Sequence, residues 1–264
     1  MLAAERHAAI LAALDGRPVV RVTELAGKLG VSEMTVRRDI DALQAAGSVH
    51  RIHGGAARAG VLAAAEPGFP ANARRQAAQK RAIARAAAQL VLPGMTISVT
   101  GGTTTVQLVD HLAQIEGLTV VTNSLPAADR LHRLTAGGRG PAVLLTGGER
   151  SPSEALVGPL ATAAIRALNV DLCFMGVHGV DVDAGITTPN LAEADTNRAF
   201  ADGCGHLVVL ADSTKFGVVS LARITGLEET SCLITDTLPA EPGFALHTLV
   251  TTPETIKDAR KALT

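Results

Sequence analysis

The stretch VTGGTTTVQL, Val99 to Leu108, sets two glycines and three threonines where an apolar run ends and a helical pattern begins. Glycine lets a backbone approach a ligand closely, and hydroxyls and unpaired amides at a helix start favour an anion. Phosphate suits this arrangement, with Thr100, Gly101, Gly102, Thr103 and Thr104 as candidate contacts. A helix cap with spare threonines reads the same way in isolation, so the neighbouring runs have to decide. One ends Thr122, Asn123, Ser124 and again opens a helix with polar donors, and the next ends Thr146, Gly147, Gly148. Further on, FMGVHGVD, GITTPNLAEAD and LADSTKFG supply His178, Glu193 and Lys215. Lys215 is a cation for phosphate and Glu193 an acceptor for sugar hydroxyls.

Such residues converge only if the runs that carry them lie side by side. From Arg74 onward, apolar runs of strand length alternate with helical segments, the signature of a parallel sheet with crossover helices. The pattern predicts strands at Thr96 to Thr100, Leu118 to Thr122, Ala142 to Thr146, Leu172 to Val177, His206 to Ala211, Cys232 to Thr235 and Thr248 to Thr251. Helices are predicted at Gln76 to Val91, Thr104 to Gln114, Leu125 to Leu134, Leu160 to Leu168 and Ala192 to Gly203. This is a doubly wound α/β fold, in which ligands sit at the carboxyl ends of the strands.

A different unit precedes it. Over residues 1–57, Ile10 with Leu14, Leu25 with Leu29, and Val36, Ile40 and Leu43 repeat at helical spacing. Thr23 and Ser32 stand where helix N-caps belong. With Val36, Ile40 and Leu43 turned inward, Met34, Thr35, Arg37, Arg38 and Asp41 face outward, and Arg38 lies most nearly opposite the buried stripe. Exposed arginines and a threonine on a helix fit a major groove, where Arg grips guanine and Thr meets thymine methyls. SVHRIHGG reads as a short β-wing that brings Arg51 and His53 to phosphates. The order helix, glycine turn, capped helix, basic wing favours a DNA reader over a merely solvated RR pair. Residues 58–73, rich in Ala, Gly and Pro, read as a linker, and 74–264 as the second domain.

Composition narrows the classes. The formal net charge of −1 demands no nucleic acid, so a DNA partner rests on the local element alone. Without Trp or Tyr the chain offers almost no platform for stacking unpaired bases. Cys173, Cys204 and Cys232 are scattered in apolar runs, which predicts buried thiols in a reducing compartment and no metal site. No leader and no bilayer-length apolar run is read, so a cytoplasmic protein without a membrane partner is expected.

VSEMTVRRDIDALQAAGSVHRIHGGA resembles the winged helix-turn-helix that opens DeoR-family transcriptional regulators, and TGGTTT, TNS, LTGGE, LVGPLA, GVHGVD, GITTPN and LADSTKFG follow in the order of that family's sensor domain. The resemblance implies a bacterial regulator, mostly a repressor of sugar-catabolic operons, released from double-stranded operator DNA by a phosphorylated sugar. It implies an isomerase-like sensor fold similar to ribose-5-phosphate isomerase and glucosamine-6-phosphate deaminase. Carried over, Gly102, Thr103 and Thr104 take the phosphate, Asn123 lines the pocket, and Glu193 and Lys215 reach in from the far side. Many members have Asp where Thr100 stands, and an acidic or amide residue is common at His178.

Two other classes are weaker. An isomerase or deaminase needs clustered acids beside its substrate, whereas the matching turn here is Gly176, Val177, His178, Gly179, so no catalytic residue is assigned. A dinucleotide-binding redox repressor wants G-x-G-x-x-G and an acid about twenty residues later. The chain has GGTTT and then Thr122, Asn123, so no cofactor is expected. Two half-sites need two readers in fixed geometry, which predicts a homodimer or higher homo-oligomer.

Overall fold

Ile10, Leu14, Leu25, Leu29, Val36, Ile40 and Leu43 close on one another as the core of the N-terminal unit in the computed structural model. The structure describes residues 2–15, 19–52, 55–58, 68–136, 138, 140–237, 239, 244, 248–250 and 259. Helices α1 (Ala3–Asp15), α2 (Val22–Leu29) and α3 (Glu33–Ala45) carry these side chains, and strands β1 (Val19–Arg21), β2 (Val49–Ile52) and β3 (Gly55–Arg58) form an antiparallel sheet in the order β1-β3-β2. The β2–β3 hairpin is the wing expected from SVHRIHGG, and β3 carries this unit to Arg58. Strand β1 was not legible because three residues are too short to show alternation. It runs straight into α2, so Thr23 lies inside that helix and does not cap it.

One charged group lies inside this unit. Asp39 of α3 is buried and receives a two-pronged grip from Arg6 of α1, Nε to Oδ2 at 2.7 Å and Nη2 to Oδ1 at 2.9 Å, with His7 Nε2 3.2 Å from Oδ1. The bonded Arg6 guanidinium holds the Asp39 carboxyl below the ordinary carboxylate range, against the opposing effect of burial. A depressed folded-state pKa contributes stability that is present above the unfolded value, about 3.9. That contribution is lost as pH falls through the lower folded value. The Tm difference between wild type and Asp39→Asn is therefore expected to hold from neutral pH to about pH 5 and to shrink below about pH 4. A difference independent of pH down to acid unfolding would contradict the charge-pair account.

Beyond the first unit, α4 (Phe69–Arg74) precedes α5 (Ala77–Ala88), and Arg75 and Gln76 between them break the helical path, Gln76 in the left-handed region at φ 50°. The stretch expected to be linker up to residue 73 thus ends in a helix, and its proline sits in the first turn, where a missing N–H costs nothing. The chain then alternates: β4 (Thr96–Val99), α6 (Thr103–Leu108), β5 (Thr119–Thr122), α7 (Leu125–Leu134), β6 (Ala142–Leu145), β7 (Glu149–Arg150), β8 (Leu156–Val157), α8 (Pro159–Arg166), β9 (Val170–Gly176), β10 (Gly179–Asp181), β11 (Gly185–Thr188), α9 (Leu191–Asp202), β12 (Cys204–Leu210), β13 (Ala222–Thr225), β14 (Cys232–Thr235) and β15 (Thr248–Val250). All seven predicted strands join one parallel sheet in the order β15-β14-β12-β9-β4-β5-β6. One face packs against a cluster containing Ile83, Leu108, Leu112 and Leu131, the other against Ile165, Phe200, Ile186 and Ile224. Burial on both faces is why β4, β5, β9, β12 and β14 read as near-continuous apolar runs, whereas the edge strand β6 is apolar but leaves Leu144 and Leu145 exposed.

The hairpin β7–β8 and the small antiparallel sheet β10-β11-β13 were not predicted. Cys173 and Cys232 are buried as expected, and burial pushes the Cys232 thiol up to about 12, whereas Cys204 is half-buried.

The order of the large sheet reverses between β4 and β9. From β4 the chain builds outward through β5 and β6, then returns to lay β9 on the other side of β4 and continues to β12, β14 and β15. The crevice outside the carboxyl ends of two strands at such a reversal is where open α/β sheets hold ligands.

Candidate functional site

The crevice at this reversal is built from backbone first. Gly101 and Gly102 follow β4, and Gly176 ends β9; a Cβ on Gly101 would stand 2.4 Å from the Ala155 Cβ, and one on Gly102 3.6 Å from the Gly176 Cα. Any side chain at 101 collides with the β7–β8 segment. Gly101→Ala is therefore expected to cost about 1 to 3 kcal/mol, the usual range for overpacking, measured as a lower denaturation midpoint at unchanged m-value. An unchanged midpoint would show that the loop yields without cost.

A cleft opens beyond these glycines, with about 570 Å³ of space between its walls counting the part open to solvent, lined by Gly101, Gly102, Thr103, Thr104, His178, Glu193 and Lys215 among others. These are seven of the eleven residues singled out for a sugar phosphate. The other four lie elsewhere, for reasons of hydrogen bonding. Thr100 is fully buried, its hydroxyl accepting from Gly176 N–H at 3.1 Å and donating to Gly101 O at 3.4 Å. Asn123 is buried, accepting from Gly101 N–H at 2.8 Å and donating to Leu156 O at 3.0 Å. Ser124 caps α7 by accepting from Ala127 N–H at 3.3 Å. Gly147 lies outside the lining, with its φ of 75° serving the turn after β6. Thr100 and Asn123 thus shape the glycine loop from behind, and their polarity serves the protein's own backbone.

The cleft has a cationic end and an acceptor end. Lys80 of α5 and Lys215, in the short 3-10 turn after β12, both line it. Lys80 is buried, and its ammonium donates to Asn72 O at 2.6 Å. Burial pushes its pKa down, Asp212 opposes that, and Lys215 and Arg75 push it further down. At the acceptor end Glu193, buried in the first turn of α9, accepts from Ser151 Oγ at 2.7 Å, from Ser153 Oγ, and from Thr188 Oγ1 at 3.3 Å. His178 Nδ1 stands 3.3 Å from the same Thr188 hydroxyl. Two ammonium groups and a threonine-bearing loop match a phosphate, while a carboxylate among hydroxyls matches a polyol chain.

Phe69, Asn72, Lys80, Ser153 and Asn197 also line the cleft and were not anticipated. Lys80 had a legible signal: it lies three, four and seven residues before Ile83, Ala84 and Ala87, on the buried stripe of α5, where an unpaired cation is costly. The others carry no signal in type or spacing. Among the described residues no cluster of His, Cys, Asp and Glu could hold a metal ion, and no helix is long and apolar enough to cross a membrane.

The candidate DNA-reading surface lies on α3. Ser32 caps it, accepting from Thr35 N–H at 3.2 Å, and its hydroxyl lies 2.9 Å from the Thr35 hydroxyl, so both residues serve the helix start. Met34, Arg37 and Arg38 are exposed, with Arg37 3.4 Å from Glu33 one turn away. Arg51 is on β2, opposite Ala56 of β3, and His53 lies outside the described residues.

The family profiles of a DeoR-like helix-turn-helix domain and of the DeoR C-terminal sensor domain match residues 6–60 and 75–237. The chain is 37% identical over 236 residues to the HTH-type transcriptional regulator GolR of Listeria innocua, covering 88% of this chain and 90% of that one. It is 34% identical over 248 residues to YgbI of Escherichia coli, named an uncharacterized HTH-type transcriptional regulator, covering 93% and 95%. It is also 30% identical over 240 residues to a putative aga operon transcriptional repressor of Escherichia coli, covering 90% and 88%. Among solved structures it overlaps in part with ribose 5-phosphate isomerase A of Neisseria gonorrhoeae, at a TM-score of 0.37 and 18% identity over 54% of each chain. With both of its parts matched and relatives above 30% identity along nearly its whole length, the chain belongs to the DeoR family of transcriptional regulators.

Proposed function

We propose that this regulator is a repressor of a sugar-catabolic operon that binds operator DNA through α3 and the wing and leaves it when a phosphorylated sugar fills the cleft. The observation that carries the reading is the cleft itself: two lysines, the Gly101–Thr104 loop and a buried Glu193 line one crevice, in a chain that also bears a capped helix with two exposed arginines. The name of one relative, a putative aga operon transcriptional repressor, supports repression of an operon. Phosphate sits against Thr103, Thr104, Lys80 and Lys215, and sugar hydroxyls meet Glu193 and His178. The effector leaves unchanged, because Glu193 is the one carboxylate lining the described cleft and its oxygens already accept three hydroxyl bonds, an arrangement for recognition rather than proton abstraction. The working form is a homodimer or larger, acting on DNA in the cytoplasm, because paired half-sites require paired readers.

The test titrates operator DNA, found by selection from random duplexes, against the protein with a panel of sugar phosphates. One member is expected to weaken DNA binding by about 5- to 150-fold, the usual size of coupling between sites. A panel member converted to another sugar while DNA affinity stays constant would replace the regulator reading of the cleft with an enzymatic one.

A further inference from the structure

We propose that helix α4 is both a wall of the effector site and the lever through which an occupied site acts on the DNA reader. The inference rests on the sugar-phosphate reading above and adds to it the element that responds. Helix α4 spans Phe69–Arg74, in the interval between the two family matches, which end at residue 60 and resume at 75. It is also the first described element after the connection from the DNA-reading unit. Two of its residues, Phe69 and Asn72, line the cleft, and the helix packs against α6, which carries the threonines of the phosphate loop.

Two of the contacts that hold α4, beside the packing of Phe69 on the core, run through groups that a sugar phosphate would engage. At its far end, the Asn72 carbonyl accepts from the Lys80 ammonium at 2.6 Å. Phosphate attracts the ammonium more strongly than a neutral carbonyl does, because it adds the Coulomb attraction of a full negative charge to the hydrogen bond. An arriving phosphate takes another of the three ammonium donors and pulls the cation toward itself, weakening its bond to Asn72. At its near end, the Phe69 N–H donates to Pro152 O at 3.3 Å. Pro152 lies between Ser151 and Ser153, whose hydroxyls both donate to Glu193. A sugar hydroxyl that competes for Oε1, which already accepts from both serines, weakens their hold and loosens the loop that holds Phe69.

The junction behind α4 is shaped to turn. Arg75 is extended and Gln76 is left-handed at φ 50°, a conformation costing a residue with a Cβ about 1 to 2 kcal/mol. Helix α5 continues beyond it with Ile83, Ala84 and Ala87 fully buried in the core, whereas α4 has no fully buried residue and gives that core only the partly buried Phe69, so α4 is the more easily turned of the two. Observed strain at a junction of this kind is a reason to look for a moving part. Pivoting at residues 75–76 moves residue 68, and with it the end of the connection that leads to β3.

Two measurements on the full chain test this. The probe is the panel member that binds tightest by calorimetry, with inorganic phosphate as a fragment that reaches only the lysine end. First, amide exchange across residues 69–74 is expected to accelerate about tenfold under saturating sugar phosphate, as for a locally released segment. Inorganic phosphate gives a smaller rise, and Leu125–Leu134 of α7 serves as the unmoved reference. Second, a Gly-Ser insertion of about six residues between Ala63 and Ala64 lengthens the connection by a flexible segment. Effector affinity should stay within about twofold of the parent, while the effector's influence on operator affinity falls from at least about fivefold to under about twofold. Unchanged exchange in α4, or undiminished release in the insertion variant, would overturn the proposal while leaving the sugar-phosphate reading standing. A panel in which nothing binds the parent removes that reading, and this inference with it.

Discussion

Replacing Lys80 with methionine is expected to lower sugar-phosphate affinity by about 10- to 150-fold, the equivalent of one lost hydrogen bond to a charged group at about 1.5 to 3 kcal/mol. The substitution keeps the length and the apolar stem of a side chain that is 4% exposed, and removes the ammonium. A buried cation costs desolvation, so the folded protein loses little, and Tm should stay within a few degrees of wild type. Calorimetric titration of Lys80→Met with the effector reads the loss directly. The pH dependence of wild-type binding gives an independent check. Burial has already pushed the Lys80 pKa below the ordinary lysine value, so the cation is lost earlier than usual as pH rises. Affinity should fall on the alkaline side, starting below about pH 10.4, and that limb should flatten in Lys80→Met. It should also fall below about pH 6, where the phosphate monoester dianion takes up a proton and keeps a single charge, in wild type and variant alike. An alkaline limb of the same size in Lys80→Met would assign it to some other group.

Arg38→Ala is the second large effect. A bidentate arginine on guanine discriminates by about 1 to 3 kcal/mol, so affinity for the selected operator should drop about 5- to 150-fold, with preference relaxed at one base-pair position. Gel-shift or fluorescence titration against operator and a scrambled duplex separates the two parts of the effect, and effector affinity should not change. Equal weakening on both duplexes would make Arg38 a phosphate contact. Arg37 lies within 3.4 Å of Glu33 on the same helix face, so Arg38 is the exposed arginine with the freer reach.

The large sheet and the reading helix were legible because each rests on a repeating cause. Strands buried on both faces must be largely apolar, and the runs that form β4, β5, β9, β12 and β14 show it, while β6 is apolar although Leu144 and Leu145 are exposed; the inward stripe Val36, Ile40, Leu43 follows from helical geometry. The lining of the candidate cleft was legible where chemistry and position coincide, as at Gly101, Gly102, Thr103 and Lys215. It misled where small polar residues turned back to the protein, because Thr100 and Asn123 look the same whether they meet a ligand or a neighbouring amide. Helix α4 was hidden by composition, since GFPAN has the make-up of a linker and only its packing shows otherwise. Ser151 and Ser153 could not be found at all, for they reach Glu193 from about forty residues away in sequence, and long-range contacts leave no local periodicity.

The ring of hydroxyls around Glu193 separates two properties that most binding sites fuse. A sugar entering this end exchanges hydrogen bonds with Ser151, Ser153 and Thr188 and adds few, so the net gain there is small for the right sugar and negative for one that cannot match the pattern. On the proposed reading, strength of binding falls to the lysines. Identity of the sugar falls to the serines and threonine, whose replacement is expected to change which sugar phosphate binds while the affinity for inorganic phosphate stays as it is. A lineage of such proteins can therefore diversify its diet by changing small side chains on β11 and the β7–β8 turn while the sheet and its glycine loop stay as they are.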